Sequence, residues 1–226
     1  TAIAQAELED MQGSSYFNEV IFYSDSKELL IATTRPELIP ACVALVYNPK
    51  DNRYNKLKGN FAKVPLFNYD IPILEDEKVD MEKGTGLVMC CTFGDKTDIE
   101  WWKKYKLSLK VVINKDGTLN KEAKQYEGLK IKEARKKIIE DLKKNKLLVG
   151  QKQITHAVNI HERCGTEIEF LKTTQWYTIV LDKKKEIIDA GNKIKWYPEH
   201  MKTRFIHWVE NLQWDWCISR QRYFGV

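Results

Sequence analysis

No apolar run in the 226 residues is long enough to cross a bilayer, and the stretch from Thr1 does not read as a secretory leader. A membrane partner is therefore not expected. Cysteine is scarce: Cys42, Cys90, Cys91, Cys164 and Cys217 are odd in number and form no disulfide framework. A reduced, cytoplasmic setting is the simpler expectation. There is no phosphate-binding P-loop and no dinucleotide fingerprint, so the chain is not expected to hold ATP by either device. No internal repeat and no low-complexity linker interrupt it. His156, His161 and Cys164, with Glu162 nearby, are the one possible ligand cluster. A structural zinc site wants four ligands in paired spacings, and the second cysteine pair is missing. No metal is expected.

Apolar side chains are plentiful. Hydrophobic residues make up 43%, with seven Trp, ten Tyr and eight Phe, enough for a sizeable core. The net charge of +5 permits an RNA partner without demanding one. Glu19–Tyr23 and Leu29–Thr33 flank a turn at Ser24–Lys27 and predict a hairpin. Further strands are expected at Ala41–Tyr47, at Leu87–Thr92 and at Leu109–Ile113, the last followed by a tight turn at Asp116-Gly117. Pro65 and Pro72 predict short or edge strands between Phe61 and Leu74. Thr97–Tyr105 predicts a helix with Ile99, Trp102 and Tyr105 along one side. Ile131–Leu142 predicts another, with Ile131, Ala134, Ile138 and Leu142 as its apolar stripe and a solvated Lys/Glu face. After Gly150, a ribbon over Gln151–Leu171 and helices over Lys183–Ile194 and Glu199–Leu212 are expected. Pro198 suits the start of the second. The fold class is mixed α and β (α+β). Both ends stop mid-pattern, Gly225-Val226 on an apolar note, which predicts a piece of a longer protein.

Two segments carry the chemistry. The first is Ala32-Thr33-Thr34-Arg35-Pro36-Glu37. Adjacent strand residues face opposite ways, so only one of Thr33 and Thr34 should face a given pocket. Arg35 precedes proline and is kept out of the α region, an extended corner from which a guanidinium reaches a phosphate or carbonyl. Ordinary strand-end packing would also account for the threonines. The second is Gly84-Thr85-Gly86, running through an apolar strand to Asp95 and Asp98. The glycines fit a simple turn, or close backbone approach to a nucleotide. Asp95 as N-cap and Asp98 three residues on form a capping box with Asp in place of Glu. A capping carboxylate can still present an oxygen outward, so the same pair could hold an ammonium group and orient a water towards an ester. Cys90 and Cys91 lie in an apolar strand and read as core rather than as nucleophiles.

Together these segments resemble the editing site of the connective insert of valyl-tRNA synthetases of class I, and the resemblance covers essentially all 226 residues. The most specific match is Trp214-Asp-Trp-Cys-Ile-Ser-Arg-Gln-Arg-Tyr-Phe-Gly225, similar to the re-entry into the catalytic domain. Met89, Cys91, Thr92-Phe93-Gly94 and Leu38 depart from the common bacterial pattern and look like the archaeal-type branch. The resemblance implies a flank over residues 1–15, a β-barrel-like editing domain with flanking helices over 16–155, and a ribbon-and-helix connector over 156–226.

It further implies hydrolytic proofreading of threonine misattached to tRNA(Val), within a ligase that uses ATP elsewhere to join valine to tRNA. Asp98 would hold the α-ammonium group and Asp95 the hydroxyl or attacking water. Arg35 would steady the terminal adenosine or ester carbonyl. Thr33, Thr34, Gly84, Thr85 and Gly86 would complete the substrate contacts. The implied partners are the tRNA(Val) 3′ end, the misattached threonine and the remainder of the synthetase. No cofactor is implied for this segment. Two other readings remain open: an isoleucyl- or leucyl-type editing domain, and a tRNA-binding scaffold without hydrolysis.

Overall fold

A computed structural model describes residues 2–221. The re-entry match beyond Gln221 lies outside the described residues. The chain forms two compact units, one comprising Gln12–His156 with Glu169–Lys172, the other residues 2–11, 157–168 and 173–221. Within the described residues no helix is long and apolar enough to cross a membrane.

The first unit is a curled, half-barrel sheet with flanking helices. Strands β1 (Leu8–Ser24) and β2 (Lys27–Thr33) form the expected hairpin in register Ser24↔Lys27 to Asn18↔Thr33. Its two-residue loop, Asp25-Ser26, has both residues at positive φ, the turn geometry whose twist matches a hairpin. Strand β3 (Cys42–Tyr47) is wholly buried; β4 (Phe61–Lys63), β5 (Asp70–Glu75) and β6 (Leu87–Cys91) complete the path β2-β1-β4-β5-β3-β6, and β7 (Leu148–His161) pairs with β1. The strands of this stretch are short, as expected, with Pro65 in the turn after β4, yet β5, which carries Pro72, lies inside the sheet. The Ile73 N–H donates to the Asn60 carbonyl at 3.0 Å, which leaves Pro72 in the intervening non-bonded pair with Phe61, and on its other side the pairing with β3 begins only at Ile73.

β3 packs on both faces. Cys42, Leu45 and Tyr47 join one core with Phe22, Ile31, Leu38, Ala134, Ile138 and Leu142; Val43, Ala44 and Val46 join another with Cys90 and Trp101. Two successive residues, Val43 and Ala44, share a core because the register with β6 shifts between Cys42 and Ala44, a bulge beside the candidate site. Helix α2 (Ile131–Lys144) buries Ala134, Ile138 and Leu142 of the expected stripe, and Ile131, at its first turn, is partly buried against the same core. Helix α1 (Lys96–Tyr105) differs from expectation: its buried residues are Asp98 and Trp101, while Ile99, Trp102 and Tyr105 are half-buried. The polar Asp98 lies inward because backbone amides surround it, and the helix rotates accordingly.

Leu109–Ile113 is not a strand. Side chains satisfy much of its backbone instead: Lys110 exchanges bonds with the Thr92 hydroxyl, and the Asn120 amide donates to the Val111 carbonyl. Only an isolated bridge, Ile113↔Leu119, remains. The expected ribbon is likewise one long strand, β7, with a single return bridge at Ile160↔Glu167. In the second unit, helices α3 (Lys184–Asn192) and α4 (His200–Glu210) stand where expected. Gly191 faces the Phe205 ring, which leaves no room for a β-carbon. A small ribbon, β8 (Tyr177–Thr178) with β9 (Trp216–Cys217), accompanies them.

Ile138 is fully buried on α2. Ile138→Ala is expected to destabilise the first unit by about 2–5 kcal/mol, seen as a lower urea midpoint. The exposed Lys136→Ala should move it by no more than ~0.5 kcal/mol.

Candidate active site

The first segment is the end of β2. Thr33 is buried; its hydroxyl oxygen accepts the Arg35 N–H at 3.0 Å, and its carbonyl accepts the Asn18 amide at 3.1 Å. Arg35 stays out of the α region, as the following proline requires, but at φ −126° and ψ 65° it stops short of the extended conformation expected, and Pro36 opens a short 3-10 helix, Pro36–Ala41. Thr34 is half-buried, and its hydroxyl has no hydrogen-bond partner among the described residues. The two threonines thus divide: the oxygen of Thr33 shapes the corner, and Thr34 is the one with its hydroxyl to offer.

The Gly84-Thr85-Gly86 turn abuts this corner. A β-carbon on Gly84 (φ +63°) would lie 3.0 Å from that of Ala32. At Gly86 the close neighbours are Arg53 and the Met81 carbonyl, so the protein itself accounts for the missing side chain. Thr85 is engaged internally as well: its hydroxyl donates to the Leu87 carbonyl at 3.2 Å, and its carbonyl accepts the Tyr54 hydroxyl at 2.6 Å.

β6 then delivers the carboxylates. Asp95 caps α1, accepting the Asp98 N–H at 2.9 Å, and is exposed. Asp98 is buried and closes the capping box from the other side. Its Oδ2 accepts the N–H groups of Gly94 at 2.8 Å and Asp95 at 3.3 Å; its Oδ1 accepts that of Cys91 at 3.2 Å. A β-carbon on Gly94 would fall 2.8 Å from Asp98 Oδ2, so the loop approaches that closely only as glycine. Burial pushes the Asp98 carboxyl up to about 7, with the Asp95 charge adding to the rise and the amide donors opposing it. Cys90 and Cys91 are buried, and burial holds both thiols well above their ordinary range, as core residues rather than nucleophiles.

Arg35 joins the two segments. Its Nη1 donates to the Gly94 carbonyl at 3.4 Å, its Nε to Glu37 at 3.0 Å, and its Nη2 to Glu169 at 2.6 Å. Glu37 is fully buried and also receives Arg135 in a two-point contact, 2.8 Å at each oxygen. Burial alone would lower the Arg35 pKa, but the carboxylates of Glu37 and Glu169 hold it above its ordinary value. Burial raises Glu169 against the opposing pull of Arg35.

Glu37, Arg135 and Glu169 are the residues that sequence reasoning did not assign. A signal existed for Arg135: it lies four residues after Ile131 and three before Ile138, on the apolar stripe rather than on the solvated face. Glu169 offered none. At the other cluster, His161 Nδ1 lies 3.2 Å from Cys164 Sγ. Among the described residues no group of three or more His, Cys, Asp or Glu side chains is placed to hold a metal ion.

The Asp98 carboxyl should titrate near pH 7 when followed by carbon-13 NMR, and Asp95→Asn should move that midpoint downwards by removing the neighbouring charge. Because its folded pKa lies above the unfolded value, the native state binds the extra proton. Asp98's contribution to stability therefore falls as pH rises from about 4 to about 7 and is level above that.

The family model for tRNA synthetases class I (I, L, M and V) matches residues 1–226. A valine–tRNA ligase of Rickettsia conorii is 51% identical over 228 residues, covering all of this chain and 28% of that protein. One from Thermoplasma volcanium is 48% identical over 226 residues and one from Ehrlichia canis 49% over 235, each covering the whole chain and 29% of the relative. The chain thus spans under a third of the length of these relatives. Among solved structures, the ternary complex of Agrobacterium radiobacter K84 agnB2 LeuRS with tRNA and LeuAMS matches 64% of this chain and 20% of its own, at 18% identity and a TM-score of 0.48. With a family match from end to end, the chain belongs to the class I tRNA synthetases of the isoleucine, leucine, methionine and valine group.

Proposed function

We propose that this chain carries the hydrolytic proofreading step of a cytoplasmic valine–tRNA ligase, releasing threonine misattached to tRNA(Val). The observation that carries the reading is the Arg35–Gly94 contact, which ties the threonine corner to the two-aspartate turn. Similarity to valine–tRNA ligases over the whole chain supports the choice of tRNA. The need for a second site follows from shape. Valine and threonine are near-isosteric, and an apolar pocket rejects the added hydroxyl only weakly; valyl enzymes are themselves the reference case, at roughly 100-fold. A pocket that hydrogen-bonds the hydroxyl reverses the preference, because valine leaves its polar groups unpaired.

In this reading the 3′ end of the tRNA enters beside the corner. Asp98 receives the α-ammonium group through Oδ1, which accepts a single amide where Oδ2 accepts two. The incoming cation favours the ionised carboxylate. Asp95, capping with one oxygen and exposed, orients the water or the threonine hydroxyl. Thr34 supplies a free hydroxyl to the same end. A guanidinium has five N–H donors; three of Arg35's are engaged by the protein, leaving others for the terminal adenosine or the ester carbonyl. Water adds to the carbonyl carbon, the bond to the ribose oxygen breaks, and that oxygen leaves with a proton. The ester is already labile, so positioning supplies much of the rate. ATP-dependent joining of valine to tRNA belongs to the rest of the ligase.

The test is deacylation of threonyl-tRNA(Val) and valyl-tRNA(Val) by the full-length ligase, with Asp98→Ala beside it. Threonine release should outpace valine release and fall at least about tenfold in the variant. Hydrolysis within about twofold of the unmutated protein would remove Asp98 from its role. Tight, salt-sensitive tRNA binding with no hydrolysis would leave a scaffold instead.

A further inference from the structure

Arg35 is held from three directions, and the three contacts are unequal. The bond to the Gly94 carbonyl, at 3.4 Å, is near the limit of a useful hydrogen bond. The charge-assisted contacts are much shorter, 2.6 Å to Glu169 and 3.0 Å to Glu37. The carboxylates, and not Gly94, therefore set where the guanidinium sits. Glu37 is in turn fixed by Arg135, and its charge, fully out of water, is shared between two arginines. Glu169 is the second carboxylate of this group of four and the one furthest away in sequence, 134 residues from Arg35.

The path of the chain around Glu169 is unusual. Glu169–Lys172 belongs to the first unit, although residues 157–168 before it and those from Thr173 onwards belong to the second. Within those four residues, Leu171 packs on the main core, and Glu169 reaches Arg35. The excursion therefore has an apolar anchor and a charged tip. The other oxygen of Glu169, Oε1, receives no hydrogen bond among the described residues; Arg35 is the arginine it bonds directly, and Arg135 adds a longer-range attraction. Nothing in the candidate site itself needs a third carboxylate to bind an amino acid.

We propose that Glu169 is a positioning residue of the hydrolytic site, acting through Arg35 to hold its guanidinium over the Gly94–Asp95 turn. This rests on the proofreading reading above. Without Glu169, Arg35 keeps Glu37 at its Nε but loses the contact that aims its Nη groups, and the turn beside Asp95 loses its link to the threonine corner. Misplacement of this kind lowers turnover more than binding.

The experiment uses the full-length ligase and threonyl-tRNA(Val), with Glu169→Ala, Glu169→Gln, Arg35→Ala and the Glu169→Ala/Arg35→Ala pair. Valine joining to tRNA in each variant reports that the protein is folded. Glu169→Ala should lower kcat for deacylation by roughly ten- to a hundredfold with KM little changed. Glu169→Gln, which keeps the acceptor oxygen and the shape, should recover part of that loss. In the Arg35→Ala background, Glu169→Ala should have no further effect, because the partner it acts through is gone. Full additivity of the two losses would mean a merely structural role and would overturn the inference. So would hydrolysis by Glu169→Ala within about twofold of the unmutated protein. If the unmutated ligase releases no threonine, the proofreading reading itself fails, and the role of Glu169 fails with it.

Discussion

The constraint on which the site depends is the burial of one carboxylate. Glu37 has no exposure to water and is compensated by two guanidinium groups, Arg35 and Arg135. A buried charge left without its partners costs about 3–5 kcal/mol, so each arginine is bound to its place by what its loss would leave behind. Arg135 comes from α2, whose apolar stripe fills the main core, and Arg35 comes from the end of β2. The corner that bears the threonines is thus fixed to the hydrophobic interior through charge, and it keeps its polar face free. Burial of Leu38 and Ile39 in the same short helix adds apolar contact to the ionic one.

The two aspartates follow the same logic with opposite exposure. Asp98 is drawn inward by three backbone amides, and Asp95 stays outward while sharing the capping box. One carboxylate therefore organises the loop and the other faces water. Burial, and after it the neighbouring Asp95 charge, raise the affinity of Asp98 for a proton, and in the proposed reading an ammonium group meets the same electrostatic need. In the proposed reading a cap and a binding group are one feature seen from its two sides, since the amides that hold Asp98 also fix where its remaining lone pair can point.

How much of this was legible in the sequence depends on the range of each interaction. The capping box, the hairpin turn and the α2 stripe are local, and their signals lie within a few residues. The corner at Arg35 was legible because proline acts on its immediate neighbour. The partners of Arg35 were not, because Glu169 and Arg135 are distant and charged side chains carry no periodicity of their own. Leu109–Ile113 has strand composition, yet Thr92 and Asn120 take much of its backbone bonding, which composition cannot show. In α1 the apolar spacing pointed to Trp102, but the amides around Asp98 turned the helix so that Trp101 is the buried ring. The β3 bulge shifts two residues onto one face for the same kind of reason: pairing with β6, not the alternation of the strand, decides it.

The excursion at Glu169–Lys172 has a consequence for biosynthesis. A chain emerging in order presents the corner, the turn, α1 and α2 before it presents Glu169. Until then Arg35 has Glu37 but not its second carboxylate, and the guanidinium is under-neutralised. The ion cluster is therefore completed late, by a segment made after the strands and helices it joins. A nascent chain halted after β7 would carry every element of the sheet and both its helices, with Arg35 held at its Nε by Glu37 and its Nη2 still without a carboxylate.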